Sequence, residues 1–288
     1  MDIAVRLFNF VIEKPYIDDN AQNFAVYNPE LFFSKFPQSK TMLECKIKGI
    51  QYTILVLKNI NLPKDDTVEF IKNKADEFLN FASVLVYDTN YAKKIKLFIT
   101  ETAIENEFRY SELSGNTGGF RRERTATAPI LFKNGFNNSL ILSVFTYSTT
   151  ELTELEDKIR NAINWLGKAI RTSNLTDSFL NACIAMECLL SEKKSQGNIT
   201  NTLAESLAFL VGKNKNERIS IYADVKDKYN LRSKLVHSGK TDITEDDYYK
   251  LSEYLVIGIE KLLDLIKTEN LKNMVDFRNY INELKFKD

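Results

Sequence analysis

The sequence pattern that decides the fold begins near residue 149, where the chain reads TTELTELEDKIRNAINWLGKAI (residues 149–170). Threonine followed by acidic residues is a typical helix start, and we expect Thr149 or Thr150, with Glu154, to begin this helix. Apolar residues then return every three or four positions, which places them on one side of a helix. This stripe predicts a helix that packs in a core through Leu152, Leu155, Ile159, Ala162, Ile163, Leu166 and Ile170.

The same helical spacing continues to the end of the chain. Further helices are predicted at about 176–192, at 203–211 and 217–236 with a break at 212–214, and from just after Thr244 to about 265. A terminal helix or arm is expected at 272–285. Amphipathic helices joined by short links pack as bundles. Residues 149–288 are therefore predicted to form an all-α domain, a bundle of four to five helices.

Residues 1–148 show both strand-like and helix-like spacing of apolar residues. Residues 52–57 are rich in apolar and β-branched side chains and predict a strand, whereas 65–85 have apolar residues at helical spacing. Residues 111–127 are rich in glycine and polar side chains and predict a mobile loop that holds neither a helix nor a strand for long. This half of the chain is predicted to be an α+β domain, for which we expect a sensing or regulatory role.

Composition narrows the function classes. Hydrophobic residues make up 44% of the chain and charged residues 27%, as in globular proteins. Lys and Arg total 39, as do Asp and Glu, so any nucleic-acid site must be local. We find neither a leader nor an apolar run of about 18 residues, and expect a cytoplasmic protein without membrane contact. The three cysteines lack zinc-site spacing, and we expect no metal and no cofactor.

A second informative stretch, YNLRSKLVHSG (residues 229–239), contains His237, the only histidine of the chain. Imidazole gives and takes protons near neutral pH. Arg232 supplies a planar, permanently charged group that matches a phosphate. Gly239 is a natural helix terminator, which places His237 in the last helical turn, where the helix dipole favours the protonated ring. Arg232 and His237 are the predicted catalytic residues, and together they indicate chemistry on a phosphodiester.

Three further residues are predicted to support this pair. Residues four apart share one side of a helix, so Tyr229, Ser233 and His237 form a line flanked by Arg232. Ser233 could hydrogen-bond the phosphate or fix the ring, and Tyr229 could pack on a base or sugar, although core packing is the commoner role for a tyrosine. Glu187 is the one carboxylate in ACIAMECLL (182–190); it either pairs with Arg232 in a partly buried site or faces outward.

Basic residues near these segments are weaker candidates for contacts with RNA. A short arginine run on a loop is more often simply solvated than bound to a nucleic-acid backbone. The candidates are Lys234, Lys240, Arg121, Arg122 and Arg124.

The pattern Tyr-x-x-Arg-Ser-x-x-x-His-x-Gly, roughly 45 residues after the helix containing Glu187, resembles the HEPN superfamily and its ApeA-like branch. The resemblance covers about residues 150–268. It implies a metal-independent endoribonuclease that forms a homodimer, in which two Arg-x4-His motifs meet in one cleft. It also implies a toxin or anti-phage (abortive infection) effector, whose partners would be an RNA substrate and either an antitoxin or a phage-derived trigger. Members of the superfamily more often have Asn where this chain has Ser233.

The chemistry of RNA cleavage agrees with this expectation. Without a metal, one group removes a proton from the 2′-hydroxyl and another protonates the departing 5′-oxygen, which leaves a 2′,3′-cyclic phosphate and a 5′-hydroxyl. One chain has one histidine, so a symmetric pair would supply both groups. Two other functions stay open: a catalytically inactive helical binding or dimerisation module, dimeric or paired with an antitoxin, and a phosphodiesterase acting on a small nucleotide.

Overall fold

Helices make up the second half of the chain, whereas the first half combines strands with helices. The computed structural model describes residues 3–8, 10–12, 24–37, 40, 52–58, 67–85, 107–112, 117–121, 130–132, 152–172, 174–192, 199–239 and 242–287. The chain divides into two units, Met1–Leu142 and Ser143–Asp288. Among the helices of the described ranges, none has the length and apolar character needed to cross a lipid bilayer.

The first unit contains an antiparallel five-stranded sheet with the strand order β3-β4-β1-β5-β6. A second sheet joins β2 and β7 in parallel. The strands are β1 (Ile3–Phe8), β2 (Phe10–Ile12), β3 (Phe24–Tyr27), β4 (Tyr52–Leu57), β5 (Glu107–Glu112), β6 (Thr117–Arg121) and β7 (Ile130–Phe132).

Two helices cover strand β3 on opposite sides. Successive side chains of a strand alternate between its faces. Tyr27 contacts Phe32 of α1 (Pro29–Lys35), with ring centroids 5.7 Å apart, and Phe24 contacts Phe78 of α2 (Thr67–Leu85), with centroids 5.5 Å apart. Residues of β3 and β4 are buried on both faces as a result. The predicted strand at 52–57, the helix ending at Leu85 and the α+β character of this half are confirmed.

The prediction of a mobile loop over residues 111–127 is wrong at 111–112 and 117–121, where strands β5 and β6 lie. Strands β5 and β6 pair in this region, with Phe108 opposite Phe120 and the two glycines, Gly118 and Gly119, opposite Tyr110 and Arg109. Composition favoured a loop because glycine weakens an isolated strand. The paired strand supplies the missing backbone hydrogen bonds, a contribution that local composition does not show. Residues 113–116 and 122–127 lie outside the described residues.

The second unit is a helical bundle, as predicted. Helix α3 packs along α4, α5 packs along α6, and α7 contacts α3, α4 and α5. The predicted apolar stripe of α3 is buried from Leu155 to Ile170, while Leu152 precedes the helix. The helices are α3 (Glu154–Arg171), α4 (Leu175–Leu190), α5 (Ile199–Val211), α6 (Lys215–Ser238), α7 (Glu245–Thr268) and α8 (Met274–Lys287).

The start of α3 differs from the prediction, whereas α4 begins at Leu175, next to its predicted start. The cap of α3 is Thr153 rather than Thr149 or Thr150, because Thr153 and Glu156 form a capping box: Thr153 N–H donates to the Glu156 carboxylate at 2.8 Å, and Glu156 N–H donates to Thr153 Oγ1 at 3.4 Å. Asn174 caps α4 by accepting from the Asp177 N–H at 3.1 Å. For α7, the predicted start after Thr244 is confirmed.

The predicted break at 212–214 joins α5 and α6 in a tight turn. A Cβ at Gly212 would lie 2.7 Å from Arg218 Cγ and 2.9 Å from the Ala208 carbonyl oxygen, so only glycine fits there. A link this short makes the two helices antiparallel neighbours. Helix α6 has 24 residues and α5 has 13. At a rise of about 1.5 Å per residue, α6 therefore extends roughly 16 Å beyond the start of α5.

Candidate functional site

The C-terminal end of α6 carries His237, as the sequence predicted. Gly239 ends the helix with a φ of 69°, the left-handed conformation that favours glycine, and its N–H donates to the Leu235 carbonyl oxygen at 2.9 Å. His237 lies in the last turn and is exposed. Within the described part of the chain its ring has no hydrogen-bond partner. The imidazole can therefore reach a ligand from solvent.

Glu187 of α4 joins Arg232 and Tyr229 of α6. Arg232 Nη2 lies 2.9 Å from Glu187 Oε1, and the Tyr229 hydroxyl donates to the same oxygen at 2.9 Å. The Arg232 and Glu187 side chains are 26% and 24% exposed. Of the two alternatives that the sequence left open for Glu187, the structure therefore has the paired one. We call these three residues the Glu187 cluster.

Tyr229 serves the interior of the bundle. The residue is only 7% exposed, and Arg232 Cζ lies 5.5 Å from the centroid of its ring. Burial, with the hydrogen bond to Glu187, raises the pKa of Tyr229 to about 12, so its hydroxyl remains a donor at neutral pH. The suggestion that Tyr229 packs on a base or sugar is wrong for this conformation, because its ring lies inside the bundle. Its role is to hold the carboxylate that holds Arg232.

Glu187 holds the guanidinium of Arg232 in place but contacts only one of its nitrogens. An arginine carries five N–H donors in a fixed plane. One nitrogen meets Glu187, and the others have no partner within the ranges that the structure describes. Since the side chain is partly exposed, its remaining donors can bind an oxyanion from solvent. A guanidinium fixed along one edge loses little further freedom when it binds a phosphate.

Arg232 and His237 do not face the same direction within one chain. Five residues of an α-helix correspond to about 140° of rotation and about 7.5 Å of rise. Ser233, four residues before His237, shares its side of α6 and is partly exposed. A single chain therefore presents His237 and Ser233 on one side and the Arg232 guanidinium on another.

The described thiols near this site are not nucleophiles at neutral pH. Cys183 lies one turn before Glu187 on α4 and is fully buried. Burial raises the pKa of the Cys183 thiol far above its usual value and also raises that of Cys188, so both stay protonated. Cys45 lies outside the described residues. In the described ranges, no group of three or more His, Cys, Asp and Glu side chains could hold a metal ion.

The weaker RNA-contact candidates are distributed over both units. Lys234 is exposed on α6, two residues after Arg232. Arg121 ends strand β6 in the first unit. Arg122, Arg124 and Lys240 lie outside the described residues.

Sequence reasoning missed Lys228, which lies on α6 one turn before Arg232 and is buried. Its ammonium is 2.6 Å from Asp224 Oδ1 and 3.6 Å from Asp247 Oδ1. The spacing of Asp224 and Lys228, four residues apart, is visible in the sequence. The contact with α7 that makes Lys228 distinctive is not.

Comparison of the chain with protein-family models, with curated proteins and with solved structures finds no match.

Proposed function

We propose that this protein is a metal-independent endoribonuclease whose active site forms from the α6 ends of two identical chains. One observation carries the proposal: an exposed histidine in the last turn of α6 follows an arginine that Glu187 anchors through a single nitrogen. These are the two groups that phosphodiester cleavage needs, one to move protons and one to stabilise charge.

The reaction would be an intramolecular transesterification. One His237 removes the proton from a 2′-hydroxyl, the 2′-oxygen attacks the adjacent phosphorus, and the P–O5′ bond breaks as the second His237 protonates the 5′-oxygen. The products are a 2′,3′-cyclic phosphate and a 5′-hydroxyl. Because one chain has one histidine, a second copy related by a two-fold axis is the simplest source of the second imidazole.

Arg232 would act on the phosphate. Negative charge on the non-bridging oxygens increases as the fifth bond to phosphorus forms, and a guanidinium already fixed in place stabilises this charge without reorganising. The Glu187 cluster supplies this fixation. Ser233, on the same side of α6 as His237, is placed to hydrogen-bond a phosphate oxygen held near the ring.

Exposure along α6 supports a second chain at this end. Val225, Tyr229, Arg232 and Val236 follow one another at intervals of three and four residues and therefore share one side of the helix. Val225 is fully buried, Tyr229 is 7% exposed and Val236 is 55% exposed. On the side of α6 that faces the core, the exposed position is thus Val236 in the last turn. Val236 is therefore accessible to a partner chain.

We infer further that the second unit belongs to the HEPN superfamily and that the protein is a toxin or anti-phage effector. The support for the first inference is a bundle of amphipathic helices in which the Arg-x4-His pattern closes a long helix ending at Gly239. The second inference, with the antitoxin or phage-derived trigger and the regulatory role of the first unit, rests on the family resemblance alone.

A catalytically inactive binding or dimerisation module is the second candidate. The favouring observation is that the charges of Arg232 and Glu187 compensate each other and that Tyr229 completes the contact, so the charges of the cluster are balanced without a substrate. If this alternative is correct, His237 has no catalytic role and simply lies in the last turn of α6.

Cleavage of RNA by the purified full-length chain in EDTA separates the two candidates. The nuclease yields fragments with cyclic phosphate ends, and His237→Ala abolishes them, whereas Asn216→Ala, which alters an exposed residue in the first turn of α6, retains most of the activity. Cleavage by His237→Ala at the wild-type rate contradicts the proposal, as does a requirement for Mg²⁺.

Mixing the two chains tests the composite site. When wild-type and His237→Ala chains exchange freely, activity falls with the square of the wild-type fraction if both histidines are needed. A linear fall would mean that each chain acts independently and would rule out the two-chain mechanism.

A further inference from the structure

Lys228 is a buried lysine that the proposed chemistry does not use. Its side chain is 4% exposed, and its ammonium contacts Asp224 on the same helix and Asp247 on α7. A buried ammonium is costly unless charged partners surround it. Asp224 supplies one counter-charge from the same helix at 2.6 Å, and Asp247 supplies a second one from α7 at 3.6 Å.

Asp247 connects this lysine to the start of α7. Its Oδ2 atom accepts hydrogen bonds from Thr244 N–H at 3.0 Å and from the Thr244 hydroxyl at 2.6 Å, while its Oδ1 atom faces Lys228. Burial alone would raise the pKa of Asp247, but the Thr244 hydrogen bonds and the charge of Lys228 outweigh it and hold the pKa below its usual value. Asp247 is thus ionised at neutral pH and links the helix cap of α7 to α6.

Helix α6 therefore carries cations in two successive turns, each paired with a different neighbouring helix. Lys228 meets Asp247 of α7, and Arg232 meets Glu187 of α4. Residues four apart lie on one side of a helix. From that side, one contact to α7 and one to α4 oppose rotation and sliding of α6, at the level where it extends past α5.

We propose that Lys228 is a positioning residue that fixes the end of α6 carrying Arg232 and His237. It touches no substrate and acts through the helix. The consequence for catalysis rests on the proposed nuclease function, whereas the anchoring of the helix can be measured without it.

Amide hydrogen exchange of the full-length chain tests the anchoring. In Lys228→Met, which keeps the length of the side chain, exchange over residues 229–239 should be at least about tenfold faster, with α3 changed by less than about twofold. Asp247→Asn keeps an oxygen for Thr244 but loses the charge, and should act in the same direction. Lys285→Met is the matched control, because Lys285 forms a pair with Glu205 of a neighbouring helix at 2.8 Å but is 32% exposed.

The outcomes separate positioning from general stabilisation. An equal acceleration in every helix of the second unit, or no acceleration at 229–239, overturns the proposal. If Lys228→Met does not fold, Asp247→Asn alone decides by the same criterion. In RNA cleavage, the proposal predicts a kcat at least about tenfold lower with KM changed less than about threefold. If the wild-type chain cleaves no RNA, the proposed function fails, but the exchange result still decides on Lys228.

Discussion

Replacing Glu187 with glutamine tests the Glu187 cluster directly. The substitution keeps the shape and an acceptor oxygen for Tyr229 and Arg232, but removes the negative charge that both contact at 2.9 Å. A hydrogen bond to a charged group contributes about 1.5–3 kcal/mol, and a neutral one about 0.5–1.5 kcal/mol, so two weakened contacts lose about 2 kcal/mol. Because both charged side chains are about a quarter exposed, solvent screening reduces the expected loss of unfolding free energy to about 1–2 kcal/mol.

Urea unfolding followed by tryptophan fluorescence measures this loss. Trp165, the single tryptophan of the chain, lies on α3, so the signal reports on the second unit. Tyr229→Phe should cost about 1 kcal/mol by itself, and the double variant should cost at least about 0.5 kcal/mol less than the two single losses together, because both changes act on one contact.

The control for this experiment is Glu205→Gln. Glu205 forms a surface pair with Lys285 at 2.8 Å, and its loss should change stability by less than about 0.5 kcal/mol. A Glu187→Gln chain within about 0.3 kcal/mol of wild type, or strictly additive single losses, would refute the reasoning that this carboxylate organises the cluster.

Three further predictions follow from single positions. Val236→Asp should abolish the proposed homodimer in sedimentation experiments and change unfolding free energy by less than about 0.5 kcal/mol, since the residue is 55% exposed; an intact dimer would place the interface elsewhere. Gly212→Ala should cost about 1–3 kcal/mol through steric overlap, and Gly239→Ala about 1 kcal/mol through its positive φ, both read by urea midpoints; the absence of a loss at either position would contradict its cause. The raised pKa of Tyr229, about 12, means that its contribution to stability is complete below the unfolded value of about 10 and is lost as pH rises through the folded value. In Tyr229→Phe, the free energy of unfolding should therefore fall less steeply as the pH rises between these two pKa values.

The strand error shows where local sequence reasoning fails. Gly118 and Gly119 made a loop the better local prediction, yet each is paired in register with a residue of β5 in an antiparallel pair. A strand obtains its backbone hydrogen bonds from another segment, so composition within the strand underdetermines it. The error in the predicted cap of α3 has a different cause, because here the local sequence did contain the correct signal. Thr153 and Glu156 had the capping-box spacing, but two other threonines just upstream competed for the assignment.

The sequence by itself determined the helices of the second unit, the end of α6 at Gly239 and the position of His237 in its last turn. These features depend on helical periodicity and on caps, which involve residues within about four positions of one another. The tertiary structure decided which charges meet. Glu187 and Tyr229 are 42 residues apart in the chain, and neither the shared carboxylate nor the contact between Lys228 and Asp247 follows from local spacing. Such contacts arise only when helix packing brings distant segments together, because a buried charge is costly unless a nearby group of opposite charge compensates it.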